Sequence, residues 1–338
     1  KGEIHMLKAG LIGIGFMGRG HLDIYKRFED EDTPVELAAV CDIDSDKFDN
    51  IFVKGNIDVG NKEYDFSPYN LYTDIDKMLE EEDLDYVDIA LPTYLHKEAT
   101  VKALNKGLHV LCEKPMALTT EECQEMISAS EKNNRKLMIG QCLRFWPEYE
   151  KLHEYVQSGE FGEVVSGYFF RGGPTPKWSY ENWLLTEEKS GGVLLDQHVH
   201  DVDMINWLFG KPEKVSTVGR NVIEGSGYDA VSTNYIYNDG KVINAQDDWV
   251  LLGDYEFKME FRVNFEKGNL VFEDGTLTVN PNDGEGFTPE LPGEMGYYRE
   301  IKYFINSIEN DTPIEVAKPS STMDSITIAE TEMKSADN

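Results

Sequence analysis

Residues 7–25 read LKAGLIGIGFMGRGHLDIY, and this stretch decides the fold. Residues 7–14 are a short apolar run punctuated by glycine, and a helical pattern follows through Tyr25, so the order is strand, tight turn, helix. Within the turn Gly13, Gly15 and Gly18 spell GxGxxG around Phe16 and Met17. The first glycine permits the sharp turn, the second lets backbone approach a pyrophosphate, and the third lets the helix pack close on the strand. The helix N-terminus offers unpaired N–H groups to the same anion. On its own the motif is weak evidence; its place between the first strand and the first helix makes it a candidate dinucleotide cradle.

A second apolar run, residues 35–40, ends in Cys41-Asp42, 24 residues past Gly18. A carboxylate there accepts hydrogen bonds from the adenosine ribose hydroxyls and repels a 2′-phosphate. The next residues, Ile43 and Asp44, bring no arginine, so NAD is expected in preference to NADP. Further strand-like runs at 85–91 (DYVDIAL), 108–112 (LHVLC) and 136–139 (KLMI) alternate with helical stretches at 75–82, 97–105 and 120–133. That alternation implies βαβ units and a doubly wound parallel sheet. Residues 49–70 are less periodic and read as an irregular insertion.

After Arg144 the rhythm changes. A helix at 148–157 gives way to strand-like runs at 164–171, 215–221, 230–237, 241–251, 257–265 and 269–272, with turn signals at Asn238-Asp239-Gly240 and Glu273-Asp274-Gly275. Consecutive strands of this kind argue an open, mainly antiparallel sheet. A helix at 195–209 interrupts them, and helices near 297–309 and 322–333 close the chain. The expected organisation is an α/β Rossmann domain over 6–142 and an α+β domain over 143–338, whose last helices could pack back on the first. The residues before Met6 do not continue the strand pattern and carry no part of this reading.

Composition narrows the partners. In 338 residues, 63 acidic against 32 basic side chains give a formal charge of -31, which repels nucleic-acid phosphates and anionic membranes. Neither partner is expected. A content of 40% hydrophobic and 11% aromatic residues suffices for packed cores. Cys41, Cys112, Cys123 and Cys142 lack CxxC spacing and read as free thiols of a reducing, cytoplasmic protein. No apolar run reaches membrane-span length, and no export signal is evident at the N-terminus.

Two more loops follow apolar strands at the carboxyl edge of the expected sheet: Leu91-Pro92-Thr93 with His96, and Glu113-Lys114-Pro115. Both could reach the nicotinamide half of the cofactor. With the glycine turn and Gly191-Gly192-Val193-Leu194-Leu195-Asp196 leading to His200, these loops make the chain resemble the Gfo/Idh/MocA family of sugar and cyclitol oxidoreductases over essentially its whole length. The resemblance implies a Rossmann domain followed by an open sheet that commonly forms oligomer contacts, hence a homodimer or homotetramer. It also implies that Lys114, Asp196 and His200 form the catalytic group. On an α-helix Asp196, His200 and Asp203 fall at i, i+4 and i+7, one polar stripe able to face a cleft, although Asp201 falls among the apolar directions. His198 points away from His200 and reads as a core histidine. Asp196, His198, His200, Asp201 and Asp203 could offer metal ligands, but alternate residues on a helix do not converge, and no metal is expected.

The chemistry expected is hydride transfer between nicotinamide and a secondary alcohol of a sugar, cyclitol or related polyol. His200 would move the proton and Lys114 would stabilise the reacting oxygen. Arg144, Arg171, Lys177, Trp178, Tyr180, Trp183 and Asp203 are candidate substrate contacts, since aromatic faces suit sugar rings and polar tips suit hydroxyls. Two other readings stay open: an NAD-dependent glycosidase that oxidises transiently without net redox change, and a non-catalytic NAD- or sugar-sensing protein.

Overall fold

The computed structural model describes residues 6–49 and 63–338. The expectation of an irregular insertion over 49–70 therefore falls largely outside the described residues.

The chain forms two compact units. One is built from the chain up to Gly140 together with Tyr297–Ser320, the other from Gln141–Gly296 with Ser321–Asn338. The sequence suggests one boundary near Cys142, whereas the chain returns to its first unit for 24 residues before ending in the second.

In the first unit, strands β1 (Leu7–Ile12), β2 (Val35–Cys41), β3 (Asn70–Tyr72), β4 (Tyr86–Ile89), β5 (His109–Glu113) and β6 (Leu137–Gly140) form a six-stranded sheet in the order β3-β2-β1-β4-β5-β6. Every pairing is parallel. The order reverses at β1, and the carboxyl ends beside that switch point are where an α/β sheet opens a crevice for ligands. Helices α1 (Phe16–Asp30), α2 (Ile75–Glu81), α3 (His96–Asn105) and α4 (Thr120–Asn133) make the crossovers. Their ends follow local chemistry. The Asp74 side chain accepts from the Lys77 N–H at the start of α2, and the Thr119 hydroxyl from the Glu122 N–H at the start of α4. Asn134 ends α4 in the left-handed conformation, φ 49°.

The second unit begins with α5 (Pro147–Ser158), which has proline in its first turn. Strands β7 (Val164–Gly172), β8 (Lys214–Arg220), β9 (Ala230–Ile236), β10 (Val242–Asp248), β11 (Lys258–Phe265), β12 (Gly268–Glu273) and β13 (Thr276–Pro281) form a seven-stranded sheet ordered β13-β12-β11-β7-β10-β9-β8. Only the β7–β10 pairing is parallel. One face carries buried Phe169, Ala245, Phe261 and Val263. β13 is absent from the sequence reading although its turn was legible: Asp274-Gly275, at φ 45° and 72°, joins Glu273 to its partner Thr276. Both positive angles suit a two-residue hairpin.

Between β7 and β8 lie the short α6 (Glu187–Ser190), a π-helical turn at Leu194–His198 and α7 (Val199–Phe209). The chain closes with α8 (Gly296–Glu309) and α9 (Pro319–Ala336). The single α-helix expected over 195–209 is thus a π turn running into an α-helix. No helix of the described residues is long and apolar enough to cross a membrane.

Candidate functional site

The glycine turn has one open position between two closed ones. A Cβ on Gly13 (φ 93°) would stand 2.6 Å from the Ala90 carbonyl oxygen, and one on Gly18 would stand 1.9 Å from that of Gly13. A Cβ on Gly15 would meet nothing within 4 Å among the described residues. Gly13 and Gly18 therefore serve packing, while Gly15 faces space that a side chain would fill. Gly15 also caps α1 without a side-chain hydrogen bond. The first N–H groups of α1, at Phe16, Met17 and Gly18, have no acceptor within the helix. These features fit a dinucleotide pyrophosphate.

Asp42 is buried beside this turn. Its Oδ2 accepts from the Ile14 N–H at 2.9 Å and its Oδ1 from the Asp44 N–H at 3.0 Å. The Lys47 ammonium donates to both oxygens, and the Arg19 guanidinium reaches the Lys47 carbonyl at 3.0 Å. The absence of arginine at positions 43 and 44 is therefore only part of the picture, since two cations stand around Asp42. Sequence reading missed them because Lys47 lies within a 3₁₀ turn at Ser45–Asp49 and Arg19 comes from another element.

The loops after β4 and β5 are tied by His96. Its Nδ1 lies 2.8 Å from the Pro115 carbonyl and its Nε2 2.7 Å from that of Leu91. Burial pushes its pKa down against the pull of the two carbonyls. His96, expected to meet the cofactor, thus fills its hydrogen bonds with backbone; Thr93 is buried and Pro92 half-buried. The Lys114–Pro115 peptide is cis. Within 110–117 every residue is buried except Lys114, while Glu113 accepts the Lys114 N–H at 3.1 Å.

The second unit holds Asp196 and His200. Across 191–206 these two are half-buried and all others are buried. The π turn passes through Asp196, and such turns recur at functional positions. Asp203 does not share their setting, contrary to the i, i+4, i+7 stripe. It is buried, accepting from Arg144 Nε and Nη2 at 2.7 Å each and from the Ser325 hydroxyl at 2.7 Å. Arg171 is likewise buried, with Nε and Nη2 each 3.2 Å from Asp201. Arg144, Arg171 and Asp203, read as substrate contacts, are therefore engaged in buried ion pairs. The Arg171 partner also explains why Asp201 lies among apolar directions of the helix. His198 is a core histidine, with Nε2 3.2 Å from Glu332 and 3.3 Å from the Tyr235 hydroxyl. Lys177 and Tyr180 are exposed, and Trp178 and Trp183 half-buried, around the 3₁₀ turn Tyr180–Leu185.

Among known proteins, residues 7–141 match the Gfo/Idh/MocA model described as an oxidoreductase family with an NAD-binding Rossmann fold. Residues 149–271 match the Gfo/Idh/MocA C-terminal domain. A 2,7-anhydro-N-acetylneuraminate hydratase of Mediterraneibacter gnavus is 32% identical over 50% of this chain and 46% of its own length. Inositol 2-dehydrogenase of Salmonella typhimurium is 29% identical over 63% of this chain and 57% of its own. The matched part thus spans about half the length of these relatives. The structure of a levoglucosan dehydrogenase in complex with NADH and levoglucosan superposes with a TM-score of 0.84 at 21% identity, covering 98% of this chain and 97% of that one. With both domain models of one family matched in order, and with the fold they describe, the chain belongs to the Gfo/Idh/MocA oxidoreductase family.

Proposed function

We propose that this chain is an NAD-dependent dehydrogenase acting on a secondary alcohol of a sugar, cyclitol or related polyol. One observation carries the reading: in each unit the run bearing the expected catalytic residues is buried except at those residues, Lys114 in 110–117 and Asp196 and His200 in 191–206. Solvent-reachable polar groups in otherwise buried runs are the pattern of a site rather than of a core. The Gly13–Gly18 turn and Asp42 would hold the dinucleotide, which when bound supplies the hydride acceptor or donor. His200 takes the alcohol proton in oxidation and returns it in reduction. Lys114 donates a hydrogen bond to the reacting oxygen and stabilises its developing negative charge, with Asp196 hydrogen-bonding substrate or orienting Lys114 or His200. Lys177, Trp178, Tyr180 and Trp183 are the preferred substrate contacts, because Arg144, Arg171 and Asp203 already satisfy one another or their neighbours.

Assay of inositols, aldoses and anhydro-sugars by NADH absorbance tests this reading; a panel that yields no turnover despite dinucleotide binding would sink it. The hydratase relative favours a second reading, transient oxidation without net redox change. Product formation without NADH accumulation would select it. A homo-oligomer assembled through the second sheet is part of the proposal, since Val218, Ile236 and Val242 share its open face at 73%, 47% and 65% exposure. Equilibrium sedimentation showing a monomer would remove it.

A further inference from the structure

Beneath the Glu113–Lys114 turn the first unit buries four ionisable groups from four elements. His21 on α1 faces Asp88 on β4, with Nδ1 3.0 and 2.9 Å from the two carboxylate oxygens. Its Nε2 lies 3.0 Å from Glu113 Oε1 at the end of β5. Both ring nitrogens thus face carboxylate oxygens, an arrangement that an imidazolium with a proton on each nitrogen satisfies. Tyr25 also donates to Asp88 at 3.0 Å, and Tyr86 donates to Tyr25 at 3.1 Å.

Glu300 on α8 is the unmatched member. It is fully buried, and among the described residues neither carboxyl oxygen has a hydrogen-bond partner. One oxygen each from Glu113 and Glu300 and a His21 ring nitrogen lie within 4.8 Å of one another. A Cβ on Gly140 would touch both carboxyls, at 3.4 Å from Glu113 Oε1 and 3.5 Å from Glu300 Oε1. Asp88 and Glu113 already balance the imidazolium with one negative charge to spare. A third carboxylate in the same dry space would be strongly disfavoured, whereas a neutral carboxylic acid costs far less to bury there. Burial and the nearby Glu113 carboxylate both push the Glu300 pKa well up. The donor set resembles a metal site, but both His21 nitrogens are already directed at carboxylates.

We propose that His21, Asp88, Glu113 and Glu300 form a proton-holding buttress for the Glu113–Lys114 turn, with Glu300 a neutral acid acting as a positioning residue for Lys114. The proposal rests on the reading of Lys114 as the group that meets the reacting oxygen. Glu113 carries the effect: its Oε1 faces His21, and its Oε2 accepts the Lys114 N–H.

The test compares the full chain with Glu300→Gln, Glu300→Ala and Lys114→Ala. At pH ~8, above the ordinary histidine range, the infrared spectrum is expected to hold a protonated-carboxyl stretch that Glu300→Gln removes. Nitrogen NMR is expected to show His21 doubly protonated in both proteins. Amide exchange over residues 113–117 should stay unchanged in Glu300→Gln and rise about tenfold or more in Glu300→Ala. The proposal is overturned by an infrared band indifferent to Glu300→Gln, by a singly protonated His21, by equal exchange in the two Glu300 variants, or by a stoichiometric divalent metal that Glu300→Gln releases. Should Glu300→Ala fail to fold, the infrared and NMR comparison of wild type with Glu300→Gln decides. Lys114→Ala separates the two readings: if it keeps polyol turnover, the catalytic assignment fails while the spectra still judge the buttress.

Discussion

The Lys47 ammonium caps the Asp42 carboxylate, with Nζ 2.9 Å from Oδ1 and 2.8 Å from Oδ2. Ribose hydroxyls must compete with that ammonium for the same oxygens, whereas a 2′-phosphate would gain it as a partner. Lys47→Ala is expected to leave NAD affinity equal or tighter and to weaken NADP about tenfold, a change of about 1.4 kcal/mol. Calorimetric titration with both dinucleotides checks this; parallel losses for the two would show that Lys47 does not discriminate.

The glycine turn separates folding from binding. Gly15→Ala places its methyl in open space and should hold the thermal midpoint while reducing NAD affinity at least about tenfold. Gly18→Ala drives its methyl into the Gly13 carbonyl and should cost about 3 kcal/mol or more of stability. Urea melts and NAD titrations of both variants distinguish the two effects.

Arg144 and Asp203 form a bidentate pair away from water. Removing one partner leaves a buried charge, so Arg144→Ala or Asp203→Ala should each destabilise by about 3–5 kcal/mol. The double variant with Met and Leu should lose less than the sum of the single losses. A raised substrate KM without loss of stability would instead restore these residues as substrate contacts.

His109 sets a pH dependence. Its Nδ1 accepts the Lys136 N–H at 2.8 Å, so the ring must be neutral there. Burial first, then the Arg135 and Lys136 charges, push its pKa down to about 4. Because the folded value lies below the unfolded one, about 6.5, the unfolded chain binds more protons in between. Stability is complete above the unfolded value and falls as pH drops toward about 4, by about 2 kcal/mol once the ring's partial solvation is allowed for. His109→Asn, which keeps an acceptor, should flatten this part of the pH profile in chemical melts; an unaltered slope would assign it elsewhere.

Periodicity and punctuation carried most of the fold into view. The strand–glycine–helix opening, the alternation that follows it and the hairpin turns of the second half all depend on neighbours in the chain, and so did Asp42, Lys114, Asp196 and His200 as candidates. Other parts were out of reach. Asp203 reads as a member of a polar stripe until Arg144, 59 residues away, is seen to bind it. The π turn at Leu194–His198 leaves no pattern that distinguishes it from the α-helix into which it runs.

Turn chemistry and hydrophobic period act over a few residues, and they are enough to specify the dinucleotide-binding fold, the second sheet and the short list of polar residues. Long-range folding sets which polar residues are committed to buried pairs, places Lys47 and Arg19 around Asp42, and brings Glu300 on a distant helix to His21 and Glu113. Those outcomes depend on burial and on charges brought together across long stretches of chain, where desolvation sets which groups stay ionised.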